Sequence, residues 1–294
     1  MPTQADPLIR YLRELESQGQ SHISVDDEAR MILRKFFLRA RAGGAQTPSG
    51  PQKSSPQPAA AAIPAGNPQS APAPVVEKLS PSLTVEGSTA SEKIDSLRRQ
   101  AIKWAPAQAL SGLRNTMVFS VGNPEADVML VGEAPGYDEE RLGEPFVGKA
   151  GQKLDGILQA MGVKRTSVYL SNIVKFRPAM PNQTTNNRKP AAEEINACLP
   201  FIQEEVKIVA PRVIIALGGT AAQAMLDCQQ SVASMRGQFH QYQGVPLRVT
   251  YHPSYILHNE ATSEKRKLWE DMLAVMDFLK MPVSEKQRGY FLTQ

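Results

Sequence analysis

Four short apolar runs, Ala126 to Gly132, Val168 to Val174, Val213 to Leu217 and Leu247 to Tyr251, alternate with segments patterned as helices. The helical stripes are Leu154, Ile157, Leu158 and Met161, then Ile195, Leu199, Ile202 and Val206, then Leu268, Met272, Val275 and Leu279. Strands and helices that alternate this way pack as a parallel sheet with helices on its faces. The pattern therefore predicts an α/β fold, a three-layer αβα sandwich around a central four-stranded parallel sheet. In open sheets of this kind ligands bind beyond the carboxyl ends of the strands. The residues just past those ends are Glu133, Asn172, Gly218-Gly219-Thr220 and His252, which come from four separate strands and converge at one edge.

One long stretch of the chain cannot add to that core. From Gly43 to Thr89 the sequence turns to Ala, Pro, Ser, Gly and Gln, too poor in apolar groups to offset the entropy of ordering. Residues 1–42 carry helical patterning, with Leu8, Tyr11, Leu12 and Leu15 on one face and Met31, Leu33, Phe36 and Phe37 in a basic stretch. Three parts are expected: a small helical segment over 1–42, a disordered linker over 43–90 and a catalytic domain over 91–294. The net charge of +4 leans towards a polyanionic partner without requiring one. Cys198 and Cys228 make neither a disulfide framework nor a tetrahedral metal set, and no apolar run is long enough to span a bilayer. The N-terminus lacks the apolar stretch of a secretory signal, and its acidic residues argue against a transit peptide. A cytoplasmic monomer without membrane contact is the expectation.

The densest chemistry lies in VGEAPGYDEERLGEPFVGKAG, Val131 to Gly151, where glycines and prolines permit sharp turns around Glu133, Asp138, Glu139 and Phe146. Gly218-Gly219-Thr220 opens an Ala-rich helix and offers backbone N–H groups to a phosphate, although an ordinary strand-to-helix turn reads the same. Neither G-x-x-x-x-G-K-[ST] nor a G-x-G-x-x-G after a strand is present, which weighs against nucleotide cofactors. Taken singly, an Asn after a strand is a turn former and a lone His is structural. Their convergence makes them site candidates.

In order along the chain, GEAPGYDEE, EPFVGKAG, VYLSNIVK and TYHPSYIL resemble the uracil-DNA glycosylase superfamily, specifically its family 4, over about Ala105 to Met281. The resemblance implies hydrolysis of the N-glycosidic bond of uracil, deaminated cytosine, in single- or double-stranded DNA, leaving an abasic site. The amide of Asn172 would pair with uracil O4 and N3–H, a pattern that cytosine reverses. Phe146 would stack on the flipped base, with Gly132 and Ala134 beside it. His252 would hydrogen-bond O2 as charge grows on the leaving base, for which a neutral imidazole suffices. Glu139 resembles the residue that guards against the thymine methyl group, or is merely solvated. Other superfamily branches carry an aspartate where Ala134 stands, so Glu133 either orients water or only organises its loop. DNA contacts are expected from Lys149, Asn187, Arg188, Gly219, Arg236 and Ser254, with Tyr255 or Ile256 as the wedge that fills the gap in the stack.

The chain departs from the family at its iron-sulfur cluster. The four ligand positions correspond to Ala105, Gln108, Phe176 and Cys198, and one thiolate cannot hold a cluster. No cofactor is expected, with Cys198 a small buried hydrophobe. The loop PAMPNQTTNNRKP, Pro178 to Pro190, is longer than the family's and has no histidine, so no covalent adduct is expected through it. The tail around Gln287, Tyr290 and Phe291 loosely resembles sliding-clamp-binding peptides, with an aromatic tail folded back on the domain as the alternative. Two rival functions stand beside the main one: a glycosylase for another deaminated base, and a non-catalytic DNA-binding protein that kept the fold.

Overall fold

A computed structural model describes residues 83–292. The helical segment expected over 1–42 and most of the linker expected over 43–90 lie outside the described residues. Ordered packing begins before the expected residue 91: Leu83 and Val85 lie against the core, and the amide of Thr84 donates to Gln100 Oε1 at 3.0 Å. Helix α1, Ala90–Ile102, follows at once. It is started by a capping box in which Thr89 Oγ1 accepts from the Glu92 amide while the Glu92 carboxylate accepts from the Thr89 amide.

The four predicted strands are present as β3 (Val128–Gly132), β4 (Tyr169–Asn172), β6 (Val213–Leu217) and β8 (Val245–Thr250), all parallel and in spatial order β4-β3-β6-β8. The sheet itself is wider than expected. It has six strands and is mixed, because β2 (Val121–Gly122) adds antiparallel to β4 and β7 (Phe239–Tyr242) antiparallel to β8. The β7–β8 hairpin turns through Gln243 and Gly244, both at positive φ (49° and 81°), the two-residue geometry that matches strand twist. A separate antiparallel ribbon joins β1 (Leu113–Met117) to β5 (Phe176–Pro178).

Helices cover both faces. One face carries α1, α2 (Ala105–Gln108), α5 (Ala192–Val209) and α6 (Gly219–Leu226), the last linked to β7 through the short α7 (Val232–Met235). The other carries α4 (Lys149–Met161) and α9 (Thr262–Phe278), with α8 (Pro253–His258) packed on α4 and α3 (Tyr137–Leu142) lying in the β3–α4 loop. Of the predicted stripes, Leu154, Leu158 and Met161 in α4 and Leu268, Met272 and Val275 in α9 are core. In α5 the buried face is turned by a residue, so that Cys198, Phe201, Ile202 and Val206 lead it and Ile195 and Leu199 sit at its margin. That rotation brings Glu205 inside, where it is fully buried and meets Lys175 Nζ at 2.6 Å, with Ser171 and Tyr169 also donating to it.

The C-terminal tail takes the folded-back alternative. In α10 (Glu285–Arg288) the Gln287 amide donates to Ala160 O at 2.9 Å and the Gln287 carbonyl accepts from Trp269 Nε1 at 2.6 Å. Tyr290 packs on Trp269 with ring centroids 5.3 Å apart. Of the side chains that resemble a clamp peptide, Gln287 and Tyr290 are therefore engaged with their own domain, while Phe291 is exposed.

Candidate active site

The carboxyl ends of β3, β4, β6 and β8 open into one cavity of about 570 Å³, lined among others by Glu133, Ala134, Glu139, Phe146, Asn172, Thr220 and His252. The predicted convergence is present, set by sheet register. Gly132 pairs with Asn172 across β3 and β4, Leu217 with Thr250 across β6 and β8, and the Gly218 amide donates to Thr250 O at 2.9 Å. Gly218 has φ 89°, and a Cβ there would stand 3.0 Å from the Cβ of His252, so glycine lets the β6 loop pass close beneath the imidazole.

His252 is held at the start of α8. Its Nδ1 lies 3.2 Å from the Ser254 amide, which donates, and 2.8 Å from Ser254 Oγ. An amide N–H has no other polarity, so Nδ1 is unprotonated and the ring proton sits on Nε2. Burial pushes the imidazole down from 6.5 to about 4, which keeps it neutral at physiological pH. Ser254, expected on DNA, thus fixes the histidine tautomer.

Phe146 is buried, with φ 57°, and its ring centroid lies 6.2 Å from that of His252 at a 30° tilt. Two glycines make room for this left-handed turn. A Cβ on Gly132 would come within 2.5 Å of Phe146 Cζ and would also strike Asn172 Oδ1, while a Cβ on Gly151 would overlap the Phe146 carbonyl. The Asn172 side chain is buried at the cavity wall and, among the described residues, has no hydrogen-bond partner. An uncommitted buried amide facing a cavity is poised for a ligand with the complementary donor and acceptor.

The two loop carboxylates differ in what they hold. Glu139 accepts from three backbone amides, Gly136 at 3.1 Å, Val147 at 3.0 Å and Gly148 at 2.9 Å, and so binds the β3–α3 turn to the Phe146 loop. Among the described residues no amide meets the Glu133 carboxylate; the Thr220 hydroxyl donates to its Oε2. Ala134 lines the wall between them.

The structure distributes the expected DNA contacts unequally. Asn187 and Arg188 line the cavity, but Arg188 is committed internally, donating to Glu194 at 2.6 and 2.8 Å and to the carbonyls of Gly112, Ala179 and Lys189. Asn187 Oδ1 accepts from buried Arg177 at 2.9 Å. Arg236 is likewise engaged, paired with Asp271 at 2.9 Å and lying over the Tyr251 ring at 5.4 Å. Lys149 is exposed on the first turn of α4, facing a neighbouring groove outside the cavity, whereas Gly219 lines the cavity. Of the two wedge candidates, Ile256 is 3% exposed within the core and has no free surface to insert, which corrects that expectation. Tyr255 is 38% exposed at the cavity rim, stacked on Tyr251 at 4.7 Å. Sequence reasoning missed Lys189, an exposed cation at the cavity mouth, and the Thr220 hydroxyl bond. The run Asn187-Arg188-Lys189 carried the signal for the lysine.

Among the described residues no three His, Cys, Asp or Glu side chains gather to hold a metal. The positions that the sequence resemblance matches to cluster ligands, Ala105, Gln108, Phe176 and Cys198, supply one thiol. Cys198 is fully buried with Trp104, Phe176 and Phe201 in one apolar cluster, and burial raises its thiol pKa. These residues do not fit an iron-sulfur cluster, whose ligation takes four donors.

Four parallel strands whose ends gather a neutral histidine, a free buried amide and a pinned aromatic ring define a protein built to handle a planar, polar-edged base. The family model for the uracil DNA glycosylase superfamily matches residues 119–273, and the chain belongs to that superfamily. Within it, several relatives are type-4 uracil-DNA glycosylases. The chain is 35% identical to a type-4 uracil-DNA glycosylase of Thermotoga maritima over 191 residues, 64% of this chain and 96% of the relative. It is 41% identical to that of Pyrobaculum aerophilum over 50% of this chain and 76% of the relative, and 32% identical to that of Archaeoglobus fulgidus over 59% and 88%.

Proposed function

We propose that the protein is a monofunctional uracil-DNA glycosylase, hydrolysing the bond between uracil N1 and C1′ to leave an abasic site. The observation that carries this reading is His252, held neutral with its Nε2–H in the same cavity as the free amide of Asn172. The hydrolysis needs no proton donated to the base if charge developing on O2 is met by a preorganised donor. Asn172 supplies one donor and one acceptor for the uracil O4 and N3–H edge, and Phe146 a face for the ring. The nucleotide reaches the cavity by leaving the stack, with Tyr255 at the rim as the wedge and Lys189 and Lys149 as cations for phosphate.

The substrate is uracil-containing DNA. The enzyme works without an iron-sulfur cluster, a reading supported by the single thiol at the ligand positions. Its two free cysteines suit a reducing compartment such as the cytoplasm; no described helix is long and apolar enough to cross a membrane.

The test is release of uracil from end-labelled single-stranded and U:G duplex oligonucleotides, followed by alkaline strand scission, with Asn172→Ala and His252→Ala alongside. Scission that falls roughly a hundredfold or more in both variants supports the assignment. Wild-type protein that cleaves hypoxanthine or xanthine substrates and not uracil would shift it to another base, and no cleavage of any would leave a binding protein.

A further inference from the structure

We propose that Thr220 is a positioning residue of this reaction, aiming the Glu133 carboxylate at the water that attacks C1′. The inference rests on the glycosylase reading above and adds a residue to it. Glu133 is the first residue past β3, and Thr220 lies in the first turn of α6, just past the neighbouring strand β6. The Thr220 hydroxyl donates to Glu133 Oε2. The main chain around Glu133 is already fixed, since the Gly132 carbonyl accepts from Ile173 at 2.9 Å and the Glu133 carbonyl from Val174 at 3.0 Å. Only the side-chain torsions remain to be set, and the threonine bond sets them.

Comparison with Glu139 shows what kind of carboxylate this is. A glutamate that organises a loop holds backbone amides, as Glu139 holds three. Glu133 holds none on its carboxylate, and among the described residues its Oε1 has no hydrogen-bond partner while the side chain lines the cavity. One oxygen is anchored and the other is free at the wall, which is the arrangement of an oriented acceptor. Its neighbour Ala134 brings no competing group. In the step so assembled, the water oxygen bonds to C1′ as the N1–C1′ electron pair leaves with uracil. Glu133 Oε1 takes the water proton, and His252 Nε2–H stabilises the charge on O2. The products are the C1′-hydroxyl sugar and the uracil anion, to which Glu133 or solvent returns the proton.

Single-turnover uracil release and DNA binding by fluorescence anisotropy are measured for Thr220→Val, Thr220→Ala, Thr220→Ser, Glu133→Gln and the Thr220→Val/Glu133→Gln pair, each with its melting temperature. Val and Ala should slow release roughly tenfold without weakening DNA binding, and Ser, which keeps the hydroxyl, should stay within about threefold of wild type. In the Glu133→Gln background the valine should cost little more, because the group it serves has been removed. Equal losses from Thr220→Val in both backgrounds, or wild-type rates in correctly folded Val and Ala variants, would overturn the proposal while leaving the glycosylase reading intact. A wild type that releases no uracil overturns that reading first.

Discussion

The Ser254 amide stands 3.2 Å from His252 Nδ1 and its hydroxyl 2.8 Å, so a residue two positions along the chain fixes which ring nitrogen carries the proton. Of the two bonds only the amide is independent of the side chain. Ser254→Ala should therefore keep the Nε2–H tautomer and lose less than about tenfold in single-turnover rate, against about a hundredfold or more for His252→Ala. A serine variant as damaged as the histidine variant would show that the hydroxyl, not the amide, holds the ring.

The same imidazole makes a stability prediction with a definite sign. Its folded pKa is depressed by burial from 6.5 to about 4, so the folded protein binds fewer protons than the unfolded chain between those values. The stability due to this neutral histidine is whole above pH 6.5 and is lost as pH falls towards 4. Urea unfolding should show the wild type losing stability more steeply over that window than His252→Asn, and the rate of uracil release should show no titration of His252 from pH 5 upwards.

Gly132 is where three parts of the cavity meet without room for a methyl group. A Cβ there would stand 2.5 Å from Phe146 Cζ and would overlap Asn172 Oδ1. Gly132→Ala should therefore displace the Phe146 ring or the Asn172 amide, with uracil release falling by about tenfold or more. The core beneath is fully packed, so the melting temperature should fall as well. Wild-type activity in this variant would mean that Phe146 is free to move aside, contrary to its position between Gly132 and Gly151.

Behind Asn172, the ion pair of Lys175 and Glu205 is fully buried, with Nζ and Oε2 2.6 Å apart. Ser171 Oγ lies 3.0 Å from the same carboxylate and Tyr169 donates to it at 3.0 Å, so the residues one and three positions before Asn172 on β4 are tied to it. Removing one member leaves the other charge stranded away from water. Lys175→Met should cost about 3 to 5 kcal/mol in chemical denaturation, whereas Lys175→Met with Glu205→Leu should recover much of that loss. Stability equal in the single and double variants would point to water reaching the pair.

How much of this was legible in the sequence follows from what sequence encodes locally. β3, β4, β6 and β8 were readable because each is an apolar run, and the site because it lies where those runs end. β7 was not, because Phe239–Tyr242 is a half-exposed edge with no apolar signature; its one clue was Gln243-Gly244 before Val245. Arg188 and Arg236 look in sequence like solvated cations, yet Glu194 and Asp271, six and thirty-five residues away, take them up. The roles of Glu133 and Glu139 could not be separated from a loop rich in carboxylates, because the difference lies in whether a hydroxyl or three amides meet each one in space. Ile256 and Tyr255 were interchangeable as a wedge until the helix direction put one inside and the other at the rim.

Where the sequence resemblance would put cluster ligands, apolar side chains are packed instead. Cys198 is fully buried in one apolar cluster with Trp104, Phe176 and Phe201, with Trp104 and Phe201 edge to face at 5.1 Å, and the Trp104 indole donates to the Ala197 carbonyl at 2.6 Å. Hydrophobic packing thus links α2 to α5 around the positions that the resemblance matches to cluster ligands. Purified protein should carry no stoichiometric iron or acid-labile sulfide, and Cys198→Ala should retain uracil release with a modest loss of stability, about 1 to 2 kcal/mol, from the vacated volume. Phe176→Ala removes far more of the filling and should cost about 3 to 5 kcal/mol. Stoichiometric iron that disappears in Cys198→Ala would instead mean that a metal is held with help from outside these four positions, and would overturn the packing account.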